Sequence, residues 1–175
     1  MSEDVLVTYI SRYGSTTEVA EKVGERLRER GLDAEVKPAA EVDSLEGVDR
    51  VVFGAPLYIG SLLKGGPEFL AKHQQALQSK SVAVFALGPL EPEELAEEGN
   101  SQLEAALTKA APWLQPIDAR EFIGKYDPAT LRGCDKMLTW FPASPLKGRP
   151  ATDNRDWPAI EAWADELAAR APAQA

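Results

Sequence analysis

Residues 5–23 (VLVTYISRYGSTTEVAEKV) restrict the possible folds of this chain more than any other stretch. Residues 5–10 are apolar on both faces apart from Thr8, which is typical of a central strand in a parallel sheet. A loop rich in hydroxyl groups follows at residues 11–17, and apolar residues then recur three and four positions apart, which predicts an amphipathic helix. A fully buried strand that leads into such a helix predicts an α/β fold.

The rest of the chain repeats this alternation of strand and helix. Four further strands are expected at residues 32–37, 51–55, 81–87 and 116–122. Later helices are expected at about residues 65–78, 100–111, 128–140 and 157–170, with an acidic loop at 88–99. Short connections and right-handed crossovers favour a doubly wound, five-stranded parallel sheet in the order 2-1-3-4-5 with helices on both faces. No linker or repeat interrupts the pattern, so residues 1–175 are expected to form one domain.

Three loops are expected to meet at one edge of this sheet. They are residues 11–17, 56–61 and 88–99, and each follows a strand with a buried pattern. In open α/β sheets, ligands bind beyond the carboxyl ends of the strands, where the strand order reverses. The predicted binding site therefore lies between the first and third strands.

The first loop has the chemistry of a phosphate site. The start of the following helix offers unpaired N–H groups and the positive end of a dipole, and a phosphate dianion needs several such donors. The hydroxyl groups of Ser11, Ser15, Thr16 and Thr17 add more donors. The same residues fit a second interpretation, in which Ser15 and Glu18 form a capping box and bind no ligand.

Composition excludes several classes of function. A net charge of −9 argues against a nucleic-acid binder and is compatible with a basic partner. The single cysteine forms no intrachain disulfide, and no metal-spaced His/Cys cluster is present. His73, the only histidine, is expected to be an exposed helix residue, so a hydrolytic triad is set aside. The chain begins without a signal-like apolar run and has no membrane-spanning stretch, which predicts a cytoplasmic protein.

Several segments resemble the flavodoxin family. Residues 7–23 resemble the flavodoxin signature, with Thr8 as the one departure, since a large apolar residue is usual there. The matching residues are Tyr9, Ser11, Gly14, Thr16, Ala20 and Val23. The segment FGAPLYIGS resembles the second flavin-contacting loop of the branch that contains menaquinone-dependent protoporphyrinogen oxidase. Residues 122–127 and 153–164 resemble later motifs of that branch.

The resemblance implies FMN as the cofactor. The first loop would hold its phosphate, the ring of Tyr58 would stack on the isoalloxazine, and Gly60 would let a backbone carbonyl turn toward the flavin N5. The third loop would cover the pyrimidine side of the ring. The implied cofactor contacts are Ser11, Arg12, Tyr13, Gly14, Ser15, Thr16, Pro56, Leu57, Tyr58, Ile59, Gly60, Leu87, Gly88, Pro89 and Leu90. No catalytic side chain and no metal ligand is implied.

Three other features were interpreted from the residues alone. The acidic run at residues 91–98 fits either a solvated helix face or a charge cluster that lowers the flavin reduction potential. Trp140 and Phe141 fit either docking of a partner or substrate, or packing onto the core. Arg155 and Asp156 are interpreted as a structural bridge between the last loop and the body of the protein.

The function that the resemblance implies is an FMN-dependent oxidoreductase. It would pass electrons between a reduced organic substrate, such as a porphyrinogen, and a quinone or similar acceptor. One alternative is a flavodoxin-type electron carrier for a redox partner protein, which the acidic surface favours. Another is a flavin-free binding or regulatory module on the same fold. Transient contact with a membrane surface and the oligomeric state stay open.

Overall fold

A parallel sheet of five long strands forms the centre of the computed structural model, which describes residues 2–170. The strands are β1 (Asp4–Tyr9), β2 (Asp33–Pro38), β3 (Arg50–Tyr58), β4 (Ser61–Leu62), β5 (Ser81–Leu87), β6 (Asp118–Phe122), β7 (Lys125–Tyr126) and β8 (Thr152–Asp153). The sheet order is β2-β1-β3-β5-β6, while the two-residue β4 pairs antiparallel with the end of β3. Counted over the five long strands, this is the predicted order 2-1-3-4-5, and the predicted fold class is confirmed.

Helices cover both faces of the sheet. They are α1 (Ser15–Glu29), α2 (Gly66–Lys72), α3 (Gln74–Leu77), α4 (Pro92–Glu98), α5 (Ser101–Ala110), α6 (Cys134–Leu138) and α7 (Trp157–Ala169), with a 3-10 turn at Ala39–Glu41. On one face, Leu70, Leu77 and Leu103 bring α2, α3 and α5 into a common core. On the other face, Val23 of α1 and Trp163 of α7 share a second core. The two cores hold the sheet rigid between them.

Trp163 fixes the position of α7 on the sheet. Its ring is fully buried and meets the rings of Phe85 and Phe122 edge to face, with centroids 5.9 and 5.6 Å apart. Such aromatic pairs contribute about 0.5–1.5 kcal/mol each beyond the area that they bury. Because Phe85 and Phe122 lie near the carboxyl ends of β5 and β6, this contact also supports the edge at which the three loops meet.

The third strand is longer than predicted. A loop was expected from residue 56, but β3 continues through Tyr58 and then turns back into β4. Two contacts extend it: the Leu63 N–H donates to the Pro56 carbonyl (3.0 Å), and Leu57 pairs with Leu62. Pro56 and Leu57 are therefore buried strand residues, Tyr58 is the exposed last residue of β3, and only Ile59 and Gly60 form the turn.

His73 is buried, so the prediction of an exposed helix residue is wrong. Its Nε2 donates to the Val42 carbonyl oxygen at 3.2 Å, and its ring lies 4.8 Å from that of Phe69. Burial lowers the pKa of the imidazole, which favours the neutral form. The same residue separates α2 from α3, where one continuous helix was expected.

Two other helices differ from their predictions. The acidic stretch expected as a loop contains α4, whose side chains are all at least partly exposed, so the solvated-helix interpretation of this run is confirmed. The helix expected over residues 128–140 is reduced to α6, and turns follow it. Neither segment has a continuous apolar face that would fix its helix boundaries.

Residue 1 and residues 171–175 lie outside the described residues, so the prediction of one domain over residues 1–175 stays a prediction. Among residues 2–170, no helix has the length and apolar character needed to cross a membrane.

Candidate functional site

The first loop ends at Gly14, which precedes the first residue of α1. Gly14 has a φ of 90°, a value that glycine adopts without steric cost, and its N–H donates to Ser11 Oγ at 3.0 Å. Ser15 is the first helical residue, and no described side chain caps the helix. The capping-box interpretation is therefore wrong, because Glu18 instead contacts Arg155 (2.5 Å) and Lys125 (3.9 Å).

Thr16 brings an unpartnered hydroxyl group to the start of α1. The residue is 1% exposed, and its Oγ1 has no hydrogen-bond partner in the described part of the chain. The backbone N–H groups of the first helical turn also lack intrahelical acceptors. Buried hydroxyl groups are normally paired, so an acceptor such as a phosphate oxygen would complete this site.

The second loop is a tight turn with an unusual backbone. Ile59 and Gly60 have φ values of 49° and 67°, as the central residues of a type I′ hairpin turn require. Glycine tolerates this conformation, but for a β-branched residue such as Ile59 it is strained. Strain of this kind is common at functional loops.

Tyr58 is half exposed at the base of this turn. Partial desolvation raises the pKa of its hydroxyl group, and the charge of Arg12 opposes that rise. Tyr58 ends β3 next to β1, the strand that leads into the first loop, so the two loops lie at the same edge of the sheet. Its ring is free to stack on a flat ligand held between β1 and β3.

The third loop, residues 88–90, is held by backbone contacts from later parts of the chain. Gly88 N–H donates to the Phe122 carbonyl (2.9 Å), and Gly124 N–H donates to the Pro89 carbonyl (2.8 Å). The side-chain amide of Asn154 donates to the Leu90 carbonyl (2.9 Å). These bonds fix the loop at the same sheet edge as the first two.

Glu121 lies buried beneath the third loop. A Cβ atom on Gly88 would stand 1.9 Å from Glu121 Oε1, so any other residue at position 88 would force this carboxyl group to move. The residue is 3% exposed, and among residues 2–170 no donor reaches its carboxyl oxygens with full hydrogen-bond geometry. Desolvation raises the pKa of Glu121, and the Leu103 N–H at the start of α5 lowers it in part.

Arg155 joins the last connection to the start of α1. It donates to the Asp153 carboxylate at 2.7 and 2.6 Å and to the Ser15 carbonyl oxygen at 3.3 Å. The hydrogen bonds from Arg155 lower the pKa of Asp153. With the Glu18 contact described above, these bonds confirm that Arg155 is a structural bridge.

Asp135 of α6 makes a second link to the first loop. Its Oδ2 accepts a hydrogen bond from the Tyr13 hydroxyl group (2.5 Å) and lies 2.9 Å from Arg12 Nη2. The Arg132 N–H also approaches the Tyr13 hydroxyl oxygen, at 3.4 Å. A carboxylate therefore pairs with two of the donor side chains of the loop that was expected to bind an anion, those of Arg12 and Tyr13.

Comparison with known proteins identifies the family. Residues 6–153 match the family model described as a flavodoxin domain. The chain belongs to the flavodoxin-domain family. This flavodoxin-family chain is 30% identical over 100 residues to the protoporphyrinogen IX dehydrogenase [quinone] of Escherichia coli K12. The alignment covers 55% of this chain and 55% of that protein, so the chain spans about half the length of that curated relative.

Solved structures support the same fold. A flavoprotein in complex with FMN from Lactobacillus acidophilus NCFM aligns with a TM-score of 0.54 and 16% identity, covering 69% of this chain and 93% of that one. A C101S mutant of flavodoxin from Pseudomonas aeruginosa also has a TM-score of 0.54, with 17% identity over 95% of this chain and 97% of that one. At such identities, the likeness shows the flavodoxin fold.

The fold brings the residues implied as cofactor contacts to the ends of the adjacent strands β1, β3 and β5. Their burial differs with their position. The buried ones are Thr16, Pro56, Leu57 and Leu87; the half-buried ones are Ser11, Tyr13, Gly14, Ser15, Gly88, Pro89 and Leu90; the exposed ones are Arg12, Tyr58, Ile59 and Gly60. Pro56 and Leu57 support the second loop from inside β3.

Three residues at this flavodoxin edge were missed by the sequence analysis: Asp135, Asn154 and Glu121. Each is far in sequence from the loop it contacts, and Asp135 is separated from Tyr13 by 122 residues. The motif that contains Asn154 was noticed, but no local pattern shows which loop its amide would reach.

Proposed function

We propose that this protein is an FMN-dependent oxidoreductase, with the FMN phosphate at the start of α1. The observation that carries the proposal is the buried, unpartnered hydroxyl of Thr16 beside the free N–H groups of the first helical turn. Ser11 and Ser15 supply further hydroxyl groups in the same loop. Family membership supports FMN as the ligand, because the flavodoxin fold includes proteins solved with FMN bound.

The remaining loops have distinct roles in this proposal. Tyr58 stacks on the isoalloxazine, and the Ile59–Gly60 turn presents backbone groups to its edge. Residues 88–90 cover the pyrimidine side, where the bonds from Phe122, Gly124 and Asn154 keep the loop in place. None of these residues transfers a proton, so the protein contributes binding, orientation and electrostatics.

The reaction class follows from the enzyme relative. FMN would take two electrons and two protons from a reduced organic substrate and deliver them to a quinone, giving an oxidised substrate and a quinol. The E. coli relative is named as a dehydrogenase of protoporphyrinogen IX that uses a quinone, and its alignment supports this reaction class for the present chain. A porphyrinogen is one substrate to offer in an assay.

A second candidate is an electron carrier for a protein partner. The net charge of −9 and the exposed, acidic α4 favour it, since such a surface attracts a basic redox protein. The two candidates differ in whether electrons pass faster to a protein partner or to small molecules. Reduced protein should be mixed in a stopped-flow instrument with menaquinone or with a flavodoxin-type reductase, and assayed under steady state with a porphyrinogen. Fast transfer to the reductase, with slow transfer to the small molecules, would favour the carrier.

The FMN proposal is tested by titration. The purified protein should take up one FMN per chain, seen as quenching of flavin fluorescence. Thr16→Val combined with Ser15→Ala should weaken FMN binding about 10- to 100-fold, because a hydrogen bond to a charged group contributes about 1.5–3 kcal/mol. Thr108→Val is the control and should leave the affinity unchanged, since Thr108 is an exposed residue of α5 outside the three loops.

Two results would contradict the proposal. A colourless wild-type protein that takes up no FMN would favour the flavin-free module. Unchanged FMN affinity in the folded double variant would show that the first loop is only a helix terminus. Circular dichroism of each variant separates loss of binding from loss of folding.

A further inference from the structure

Exposed apolar side chains are concentrated in two stretches of the chain. Among residues 2–170, the large exposed hydrophobic residues are Tyr58, Ile59, Met137, Leu138, Trp140 and Phe141. Trp140 is 76% exposed and Phe141 56% exposed, which is far more than aromatic rings show when they pack onto a core. Single exposed apolar residues are common, but a group of this size marks an interaction surface.

The two stretches lie on the same side of the molecule. Asp135, on the same helix as Met137 and Leu138, contacts Arg12 and Tyr13 of the first loop. Tyr58 ends β3, and the neighbouring parallel strand β1 leads directly into the first loop, so the second loop lies at the same edge of the sheet. Residues 58–59 and 137–141, called here the apolar surface, thus border the proposed FMN edge.

Basic residues accompany the apolar surface in a strongly acidic protein. Residues 128–150 contain the bases Arg132, Lys136, Lys147 and Arg149 against one acid, Asp135, although the whole chain has a net charge of −9. Asp135 is already paired with Arg12 and Arg149 with Glu91, which leaves Arg132, Lys136 and Lys147 as the exposed bases of the segment. The segment therefore combines local positive charge with exposed rings, while the rest of the molecule is negative.

We propose that the apolar surface docks this protein on an anionic lipid bilayer. Tryptophan and phenylalanine enter the headgroup region readily, and nearby Lys and Arg side chains bind anionic headgroups. Repulsion of the acidic remainder from the same bilayer fixes the orientation, with the apolar surface toward the lipid. A protein partner with an acidic, apolar face and a second copy of this chain are the other occupants that the test separates.

Docking in this orientation would turn the proposed FMN edge toward the membrane. An apolar quinone dissolved in the bilayer could then reach the flavin without crossing water. This consequence rests on the proposed function, but the binding itself does not, and the experiment below needs no cofactor.

The test measures binding to vesicles by co-sedimentation and by tryptophan emission. Protein without added FMN should bind vesicles that contain phosphatidylglycerol, with a blue shift from Trp140, and should bind pure phosphatidylcholine at least about tenfold more weakly. Raising the salt concentration should weaken the binding, because it screens the basic residues. Trp140→Ala combined with Phe141→Ala should reduce binding at least about tenfold.

A lysine pair supplies the matched control. Lys136→Gln, on α6, should weaken binding to the anionic vesicles about threefold to fivefold, as loss of about 1 kcal/mol per basic residue predicts. Lys72→Gln should leave binding unchanged, because Lys72 ends α2 at the opposite edge of the sheet. Circular dichroism confirms that each variant is folded.

Three results would overturn the proposal. The wild type could fail to bind anionic vesicles at low salt, or the Trp140/Phe141 variant could bind them as well as the wild type. In the third, the wild type would bind no vesicles, and sedimentation velocity would find a dimer that the Trp140/Phe141 variant does not form. That result would assign the surface to a second copy of the chain. If FMN titration succeeds while vesicle binding fails, only the docking proposal falls.

Discussion

The carboxyl group of Glu121 is buried beneath Gly88, and in the described part of the chain no donor reaches it with full hydrogen-bond geometry, although the Leu103 N–H acts on it. Because burial raises its pKa in the folded protein, its contribution to stability is present below the unfolded pKa and is lost as the pH rises through the folded pKa. Above the unfolded pKa, burial of this carboxyl group therefore costs stability, which is a cost that proteins often accept near functional sites.

Glu121→Gln should make the protein more stable at pH 7–8. An unpaired buried polar group costs about 1–3 kcal/mol, and about 1 kcal/mol shifts the Tm of a domain of this size by about 2–4 °C. The gain should shrink as the pH falls toward 4, where the wild-type carboxyl group is also neutral. Thermal unfolding across this pH range measures it, and a gain that does not depend on pH would contradict the charge argument.

At the residue scale, the sequence predicted what depends on local pattern. The hydroxyl-rich loop around Thr16 and the turn at Gly60 could be found because each directly follows a recognisable strand. Asp135 and Glu121 could not, because their positions depend on how distant segments pack. The prediction that His73 is exposed was wrong for the same reason, since its hydrogen-bond partner Val42 lies 31 residues away in the sequence.

Among the elements, the β3–β4 hairpin has the most unusual backbone. Ile59 occupies a left-handed conformation that costs a β-branched residue about 1–2 kcal/mol, whereas Asn and Gly adopt it readily. Its side chain is fully exposed and therefore gains nothing from core packing. Stability therefore does not explain an isoleucine at position 59. The proposed apolar surface would explain it, because an exposed apolar side chain is needed there.

Ile59→Asn should stabilise the protein by about 1 kcal/mol, because asparagine tolerates the left-handed conformation. Urea denaturation should show a higher midpoint with an unchanged slope. Ile59→Val is the control, because it keeps the β-branch and should leave the stability unchanged. Equal effects of the two substitutions would show that backbone strain is not the cause.

Element boundaries were predictable where burial gives a clear period. The apolar runs of β1, β3 and β5 identified the three central strands, and Asp156 was placed next to α7, whose Ala159 N–H donates to it at 3.0 Å. The sequence did not fix the bounds of α4, because this exposed helix has no apolar period. The break between α2 and α3 could not be predicted either, since it depends on the tertiary contact between His73 and Val42.

For the whole molecule, Arg50 joins the beginning, the middle and the end of the described chain. Its side chain is fully buried at the start of β3, where Nε lies 2.9 Å from a Glu3 carboxyl oxygen and Nη2 donates to the Arg170 carbonyl oxygen at 2.9 Å. It also donates to the Leu167 carbonyl oxygen. Burial raises the pKa of Glu3, and the charge of Arg50 opposes that rise.

Arg50→Met should destabilise the protein by about 3–5 kcal/mol, because it leaves a buried carboxylate and the end of α7 without their cation. Adding Glu3→Gln should recover part of the loss. Urea denaturation measures both, with Arg120→Met as a control whose exposed ion pairs contribute less than about 1 kcal/mol. A loss in Arg50→Met no larger than in the control would contradict this role.

The overall architecture was the most predictable level. Buried strands, short connections and the handedness of crossovers leave few topologies, and the family resemblance agreed with them. The connection at residues 124–155 was the least predictable, since its position depends on single contacts such as those of Arg155 and Asp135.

The position of Asp135 would let the molecule sense whether its first loop is filled. A phosphate dianion would compete with this carboxylate for the guanidinium group of Arg12 and the hydroxyl group of Tyr13. Linked equilibria are reciprocal. A ligand that displaces Asp135 would release α6 from the first loop, and a surface that binds the released α6 would therefore raise the affinity for that ligand. FMN binding and membrane binding would then each raise the affinity for the other, and the protein with FMN bound would be the form enriched at the membrane.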